Sequence, residues 1–274
     1  MKYKGHDYGR ELELAVHAAR AAGTMIAARA GAVDRSAIRE KGLNDLVTDV
    51  DEAAQRLIIR TLRETFPGYA FLAEEGDEFA QNGHYDGHRW IIDPIDGTTN
   101  FMHGVPPYAV SIGLQLEEEL VLGVVLDVSR DELFTAVRGN GLFLNGERRH
   151  TSLIPDLAGS LITTGFPYRA VGHLEVYLHV LSEFMRRSQG VRRPGSAAVD
   201  LAYVAVGRFD GFFETGLKPW DVAAGLVLVE EGGGRVTDYR DRQDPLFSSQ
   251  LIASNGLIHG EMLAQLEAMQ DVYL

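Results

Sequence analysis

The sequence predicts an α+β protein, in which helices and mainly antiparallel strands share a core. Three observations support this class. Residues 10 to 30 carry apolar side chains at helical spacing, residues 108 to 145 alternate like an antiparallel meander, and an apolar strand at 90 to 92 ends in two carboxylates. The 274 residues are 45% hydrophobic and show no internal repeat. We expect one compact unit over residues 1 to 274, with two packed halves of approximately 1 to 150 and 151 to 274.

The composition excludes several kinds of site. The chain has no cysteine, so disulfides, thiolate metal sites and cysteine nucleophiles are absent, and oxygen or imidazole must bind any metal. The net charge of −13 disfavours general nucleic-acid binding. Two basic pairs, Arg186-Arg187 and Arg192-Arg193, are interpreted as a solvated edge. No signal-peptide core or membrane-length apolar run is visible, and we expect a cytoplasmic protein without membrane contact.

The first elements form a scaffold with acidic residues at their ends. A helix is predicted over residues 10 to 30, and the polar stretch 35 to 44 predicts a mobile loop. Thr48 or Asp49 is expected to cap a helix from about residue 50 to 66. Asp51 falls in the first turn of this helix, where an acidic residue also complements the helix dipole without further role. Glu74 and Glu75 end a short strand at 71 to 73.

The stretch from Trp90 to Asn100 is the centre of the sequence. We expect its strand to end at Ile92, because Pro94 fixes φ and lacks an N–H group, so that the chain turns there. Asp93 and Asp96 can then point to one spot. An Asp-Pro turn followed by a helix-capping Asp would give the same pattern without any ligand.

Gly97 and Thr98 follow at a predicted helix start. Unpaired backbone N–H groups and the positive end of the helix dipole favour a bound anion at such a position. Cations and a phosphate group could therefore meet here.

The rest of the chain completes the two halves. The meander is expected to have strands at 108 to 116, 121 to 128, 133 to 137 and 142 to 144, with a solvated charged turn at 117 to 119. Further strands are expected at 160 to 164, 210 to 214, 235 to 238 and 251 to 254, and helices at 173 to 187, 195 to 206, 219 to 230 and 257 to 269. The helix at 173 to 187 is expected to bury one face with Leu174, Tyr177, Leu178, Leu181 and Phe184.

Asp221 follows Pro-Trp at a helix start, where a capping role alone would explain it. The acidic residues are more informative as a group. Glu74 and Glu75, Asp93 with Asp96, and Asp221 all lie at strand ends or helix starts, where α/β-type folds bind ligands.

On these motifs the chain resembles the inositol monophosphatase family, within the lithium-sensitive, magnesium-dependent sugar phosphatases. The motifs follow the family's order over most of the chain. They are residues 45 to 51 (DLVTDVD), 73 to 75 (AEE), 90 to 101 (WIIDPIDGTTNF), 195 to 198 (GSAA) and 218 to 225 (KPWDVAAG). The resemblance implies a layered αβαβα sandwich of the sugar-phosphatase type and a homodimer.

The resemblance also implies roles for individual residues. Two or three Mg²⁺ ions, with Mn²⁺ as a substitute, would be bound by Glu74, Asp93, Asp96, Asp221 and the carbonyl of Ile95. Thr98, held by Asp51, matches the residue that orients the attacking water, helped by Glu74. Substrate-side positions are matched by Gly97, Thr98, Gly195, Ser196, Ala197 and Glu214. Lys41 is a further loop contributor, in a loop one residue shorter than in some relatives.

The implied reaction is hydrolysis of inositol monophosphate to inositol and phosphate. Uncatalysed phosphate monoester hydrolysis is so slow that enzymes accelerate it by up to about 10²¹-fold. A general acid or base contributes only about 10²- to 10⁴-fold, so metal ions are needed as well. Two carboxylates about 4 Å apart repel by roughly 4 kcal/mol, which also favours cations in such a cluster.

Two alternatives remain open from the sequence. One is a phosphatase for another small phosphate, such as fructose 1,6-bisphosphate, histidinol phosphate or a nucleotide phosphate. The other is a regulatory, RNA- or transcription-associated binding protein on the same fold.

Overall fold

A computed structural model describes residues 1–31, 39–42, 45–76, 87–168, 171–243 and 245–271. Its helices are α1 (Gly9–Ala27), α2 (Asp49–Thr65), α3 (Thr98–His103), α4 (Leu174–Arg187), α5 (Ala197–Ala205), α6 (Pro219–Glu231) and α7 (His259–Leu266), with 3₁₀ turns at Val171–His173 and Glu267–Met269. Its strands are β1 (Lys2–Tyr3), β2 (His6–Asp7), β3 (Arg39–Gly42), β4 (Asp45–Val47), β5 (Ala70–Ala73), β6 (His88–Asp96), β7 (Ala109–Leu116), β8 (Glu119–Asp127), β9 (Glu132–Val137), β10 (Gly141–Leu144), β11 (Glu147–Arg149), β12 (Leu161–Thr164), β13 (Gly190–Arg192), β14 (Gly211–Thr215), β15 (Arg235–Thr237) and β16 (Gln250–Ser254). None of the described helices is long and apolar enough to cross a membrane.

Two large sheets organise these elements. The first has the strand order β11-β10-β9-β8-β7-β6-β5, in which only β5 and β6 are parallel. The second has the order β13-β12-β14-β16-β15, with β12 parallel to both of its neighbours. The expected meander is therefore present as β7 to β10, and it continues into β11.

Three hydrophobic clusters fill the space between the layers. Helices α1 and α2 pack on one face of the first sheet. Helices α5 and α6 lie between the two sheets. Helices α4 and α7 cover the outer face of the second sheet. The layers therefore run α, β, α, β, α, and the predicted α+β class and sandwich are confirmed.

Helix α6 touches the first sheet at a pair of glycines. Gly113 and Gly123 are register partners in β7 and β8. A Cβ atom at Gly113 would lie 2.8 Å from the Cβ of Ala223, and one at Gly123 would overlap the carbonyl oxygen of Ala224. The missing side chains let the first turns of α6 lie directly on the sheet, which brings the start of α6 close to the end of β6.

The predicted end of the central strand is wrong. Strand β6 continues through Asp96, and its pairing with β7 shifts register between Asp93 and Asp96. Asp93 pairs with Ser111 and Asp96 with Ala109, so two residues of β6 face one residue of β7. This is a β-bulge, in which a proline is tolerated because the extra residue is unpaired. The bulge, and not a chain reversal, separates the two carboxylates.

Several smaller expectations also need correction. Residues 39–42, predicted as part of a loop, form β3 and pair with β4, while 32–38 and 43–44 lie outside the described residues. In α4, Leu174 and Leu178 are 40% and 45% exposed, and the buried face starts at Tyr177. Glu119 is not a solvated turn residue, because it accepts a hydrogen bond of 2.6 Å from the Tyr3 hydroxyl.

Candidate active site

A cleft of about 460 Å³ opens where the ends of β6 and β14 meet the starts of α3, α5 and α6. Of the sequence-predicted site residues whose side chains are described, it contains all except Asp51, which lies behind its wall. Lys41 belongs to β3, where only the backbone is described. The predicted residues that line the cleft are Glu74, Asp93, Ile95, Asp96, Gly97, Thr98, Gly195, Ser196, Ala197, Glu214 and Asp221.

Four carboxyl groups crowd one end of the cleft. Asp93 is 2% exposed. Its burial raises the pKa of the Asp93 carboxyl well above the usual range, and the negative charges of Glu74, Asp96 and Asp221 raise it further. The side chains of Glu74 and Asp93 are within hydrogen-bonding reach of each other. The four carboxyl groups therefore concentrate negative charge at this end of the cleft, around the buried Asp93.

Local hydrogen bonds fix the direction of each aspartate. Oδ1 of Asp93 accepts from the Ile95 N–H at 2.9 Å, across the bulge. Oδ2 of Asp221 accepts from the Lys218 N–H at 2.8 Å, which is the capping role foreseen for this residue. Capping and site formation are thus compatible, because a cap occupies one carboxylate oxygen.

Asp96 points toward α5. Its Oδ2 accepts from the Ser196 hydroxyl at 2.6 Å and from the Ala198 N–H at 2.7 Å. Within the described part of the chain, no three acidic or histidine side chains stand in a ready coordination shell.

The start of α3 lies beside this acidic end. Gly97 caps α3 with φ +91°, a conformation that favours glycine. A Cβ atom there would lie 3.1 Å from the carbonyl oxygens of Gly195 and Pro107, so the backbones of α3 and the α5 start are in contact. The cleft therefore offers backbone N–H groups next to its carboxylates.

Thr98 is the first residue of α3, and its hydroxyl lies between two acceptors. These are the Ile95 carbonyl oxygen at 3.0 Å and Oδ1 of Asp51 at 3.3 Å. Asp51 is completely buried, and its Oδ2 accepts from the N–H and the hydroxyl of Thr48 at the start of α2. Burial raises the pKa of the Asp51 carboxyl, while the bonds from Thr48 and Thr98 oppose this shift.

Glu214 forms part of the opposite end of the cleft. Its carboxyl group fills the space in front of Gly165, where a Cβ atom would overlap it. Burial raises the pKa of Glu214 to about 8, although the charge of Arg193 opposes this. Ser196 caps α5 with a hydrogen bond from the Val199 N–H at 3.4 Å, so that Gly195 and Ala197 flank a helix start.

A family model described as the inositol monophosphatase family matches residues 8–271. The chain belongs to the inositol monophosphatase family. It is 43% identical to the Nus factor SuhB of Escherichia coli K12 over 93% of this chain and 95% of that protein. It is also 43% identical to the inositol-1-monophosphatase of Mesorhizobium japonicum over 92% of this chain and 94% of that protein.

Solved structures of this family have the same fold. The extragenic suppressor protein suhB of Bartonella henselae superposes with a TM-score of 0.89 at 38% identity, covering 96% of this chain and 100% of that one. The IMPase of Thermotoga maritima gives 0.86 at 36% identity, covering 96% and 99%. The recognition of the family from sequence motifs is confirmed.

The sequence reasoning missed three residues at the cleft of this family member. Arg193 is exposed, as expected for a solvated edge, but it also lines the cleft. Asp200 is 1% exposed and also lines it, four residues and thus one helical turn after Ser196, which was the available signal. Asn100 donates from Nδ2 to the carbonyls of Pro107 and Pro194 at 2.8 and 2.9 Å, and so joins α3 to the segment before α5.

Proposed function

We propose that this chain hydrolyses small phosphorylated polyols in a Mg²⁺-dependent reaction, with inositol monophosphate as the preferred substrate. The observation that carries the proposal is the cluster of Glu74, Asp93, Asp96 and Asp221 beside the start of α3. The charges of Glu74, Asp96 and Asp221 raise the pKa of Asp93, so this end of the cleft favours cations, and a helix start favours an anion. A site of this kind suits cations and a phosphate group together.

The residues present fit Mg²⁺. The metal ligands would be oxygen atoms of the four carboxylates and of the Ile95 carbonyl. A ligand set made only of oxygens suits Mg²⁺ or Mn²⁺. Two or three ions are expected from the family resemblance. Bound Mg²⁺ would make water more acidic and neutralise the phosphate charge. Asp93 is central to this set, because the negative charges of the other three carboxylates raise its pKa.

The chain's own groups would position the reactants. The Thr98 hydroxyl donates toward Asp51, so its oxygen lone pairs can accept a hydrogen bond from the attacking water. The Glu74 carboxylate lines the same end of the cleft and can accept the other proton of that water. The backbone N–H groups of Gly97 and Thr98 would hold the phosphate oxygens.

The other end of the cleft would bind the leaving group. Glu214 can accept hydrogen bonds from polyol hydroxyls, and the start of α5 at Gly195, Ser196 and Ala197 forms the adjoining wall. Relatives of similar identity that are named inositol-1-monophosphatase support an inositol phosphate over the other small phosphates.

The direct test is phosphate release from a panel of phosphomonoesters, with Mg²⁺ and with excess chelator. The panel contains inositol 1-phosphate, fructose 1,6-bisphosphate, histidinol phosphate, a nucleoside monophosphate and p-nitrophenyl phosphate. We expect release only with metal and the highest kcat/KM on inositol 1-phosphate. Full turnover in chelator would refute the mechanism, and a clear preference for another substrate would replace inositol as the assignment.

A role in transcription is a second candidate, because several relatives at 43% identity are named Nus factor SuhB. The expected basic edge gives this role little support. Arg186 and Arg187 both form ion pairs with Glu183, at 2.9 and 3.0 Å. If the role exists and is separate from catalysis, binding to RNA or a protein partner should survive Asp93→Asn. Absence of RNA binding at low salt together with an empty pull-down would remove it.

A homodimer and a cytoplasmic location are part of the proposal on the strength of the family resemblance. The treatment of residues 1 to 274 as one catalytic unit is part of it as well. Sedimentation of the purified protein would test the dimer.

A further inference from the structure

Arg193 forms a wall of the cleft together with two aromatic residues. Its guanidinium carbon lies 5.4 Å from the ring centre of Phe166 and 5.2 Å from that of Tyr168. The two rings meet edge to face, with centres 5.9 Å apart. All three side chains line the same cleft as the carboxylates. We call Arg193, Phe166 and Tyr168 the arginine–aromatic wall.

The wall is anchored at both ends. Phe166 packs edge to face on Tyr177, whose ring is buried and whose hydroxyl donates to the Gly165 carbonyl at 2.8 Å. At the other end, Nη1 of Arg193 would lie only 2.6 Å from a Cβ atom at Gly195. Because Gly195 has no side chain and φ +101°, the guanidinium can rest against its α-carbon.

The guanidinium has donors to spare. Among the residues that the structure describes, Arg193 makes no hydrogen bond and no ion pair within 4.0 Å, although five N–H donors are available. It is nevertheless close enough to matter electrostatically, because its charge opposes the raised pKa of Glu214 and of Asp200. A fork of unused donors therefore stands near an acceptor carboxylate.

We propose that Arg193 determines specificity for the polyol. Its guanidinium would donate a hydrogen bond to the oxygen of a substrate hydroxyl, and that hydroxyl would donate its own hydrogen bond to Glu214. This inference rests on the proposed phosphatase function and deepens it. A hydroxyl is both donor and acceptor. It can accept from the guanidinium, which only donates, and donate to an oxygen of the Glu214 carboxyl, which has an acceptor in either protonation state. The two side chains together satisfy one hydroxyl or a neighbouring pair. The rings of Phe166 and Tyr168 hold the guanidinium in position at the cleft.

A guanidinium fork would also suit a second phosphate or a carboxylate on the substrate. The surroundings favour a neutral polyol instead. Glu214 and the buried Asp200 line the same part of the cleft, and Oδ1 of Asp200 has no hydrogen-bond partner among the described residues. Any negative charge that these two carboxyl groups retain would repel a second anion, whereas a neutral polyol can bind beside them in either protonation state.

The test compares Arg193→Met with wild type on inositol 1-phosphate and on p-nitrophenyl phosphate, which lacks hydroxyls. We expect KM for inositol 1-phosphate to rise about 10- to 100-fold, since the lost hydrogen bond involves a charged donor. The values of kcat on both substrates and kcat/KM on p-nitrophenyl phosphate should stay within about threefold of wild type, which is the size of a small surface effect. Arg193→Lys keeps the charge but not the forked guanidinium. Its KM for inositol 1-phosphate should lie between those of wild type and Arg193→Met.

Two further variants sharpen the comparison. Arg192→Met is the matched control, because Arg192 is also exposed, its Nη1 donates to the Val191 carbonyl at 3.0 Å, and it does not line the cleft. It should behave as wild type. Phe166→Leu removes one support of the guanidinium and should show a smaller loss with the same substrate preference.

The outcomes separate this proposal from the function on which it rests. A wild-type protein that hydrolyses neither substrate would refute both. The wild-type protein could hydrolyse both substrates while Arg193→Met loses kcat/KM equally on both, or on neither of them. That result would refute only the role of Arg193. An equal loss accompanied by a smaller species in sedimentation would assign Arg193 to a subunit contact and would overturn the proposal as well.

Discussion

The hydroxyl oxygen of Thr98 lies 3.3 Å from Oδ1 of Asp51, although the two residues are 47 positions apart in the chain. Asp51 belongs to the first turn of α2 and Thr98 to the first turn of α3. The carboxylate therefore joins two helix starts, one through Oδ2 at Thr48 and one through Oδ1 at Thr98. It both caps a helix and holds a hydroxyl at the cleft.

Thr98→Ala should lower kcat on every phosphomonoester by about 10²-fold or more, because the water would lose the group that orients it. The loss should be the same for inositol 1-phosphate and p-nitrophenyl phosphate. Thr98→Ser keeps the hydroxyl and is the control, with most of the activity retained. Near-normal turnover by a folded Thr98→Ala protein would remove Thr98 from the mechanism.

Asp93→Asn should abolish Mg²⁺-dependent activity and leave the fold intact. In metal-free buffer at pH 7 the variant should be more stable than wild type, because the amide cannot ionise among the neighbouring carboxylates. Thermal unfolding with chelator and with Mg²⁺ measures this. Mg²⁺ should raise Tm of the wild type much more than Tm of the variant, and equal responses would argue against a metal site at Asp93.

Glu214→Ala should reduce kcat/KM on inositol phosphate by roughly 10- to 150-fold, the range for a hydrogen bond to a charged group. Hydrolysis of p-nitrophenyl phosphate should be almost unchanged, because that substrate has no hydroxyls for Glu214 to accept from. Equal losses on the two substrates would show that Glu214 serves the metal site or the fold.

His259 gives the fold a pH dependence that is separate from the cleft. It is fully buried between the hydroxyls of Thr237 and Ser254, at 2.9 and 2.8 Å. Burial, together with a smaller effect of the Arg235 charge, lowers its pKa from 6.5 to about 4.

A histidine whose pKa is lower in the folded than in the unfolded protein contributes its full stability to the fold at a pH above the unfolded pKa. This contribution is lost as the pH falls from the unfolded pKa toward the folded pKa. Between pH 6.5 and 4 the wild type should lose about 3 kcal/mol more unfolding free energy than His259→Gln. Urea unfolding at several pH values measures the difference. Parallel pH profiles for the two proteins would contradict the assignment.

Gly123→Ala should destabilise the protein by about 1–3 kcal/mol, because the added methyl group overlaps the Ala224 carbonyl. It should also reduce activity, since α6 carries Asp221. Gly260→Ala is the control, because a Cβ atom at Gly260 in α7 meets nothing within 4 Å. That change should raise stability by up to about 1 kcal/mol through helix propensity. Chemical denaturation of both variants gives the comparison.

The sequence predicted those parts of the site that depend on local signals. Thr48 was recognisable as a cap, and Asp93, Asp96 and Asp221 as acidic residues at element ends. The end of β6 was misjudged because a proline inside a bulge has the same local signature as a proline that ends a strand. The role of each cleft residue and the division into two halves remain predictions.

Arg193 and Asp200 were out of reach for a different reason. Their position at the cleft depends on the packing of α5 against β14 and on the stacking of Arg193 over rings some 25 residues earlier in the chain. Nothing in the spacing of an Arg-Arg pair distinguishes a solvated side chain from one that lies on an aromatic surface.

The hydrogen bonds from Ser196 and Ala198 to Asp96 have a consequence for redesign. A carboxylate on β6 caps a helix about 100 residues further along the chain, so the acidic end of the cleft and the first turn of α5 form one rigid part. Phe166, Tyr168 and Arg193 lie outside that part. If the proposed role of Arg193 is correct, substitutions at these three positions would change the leaving-group preference and keep the hydrogen bonds of Asp96, whereas mutations in the first turn of α5 would disturb both ends together.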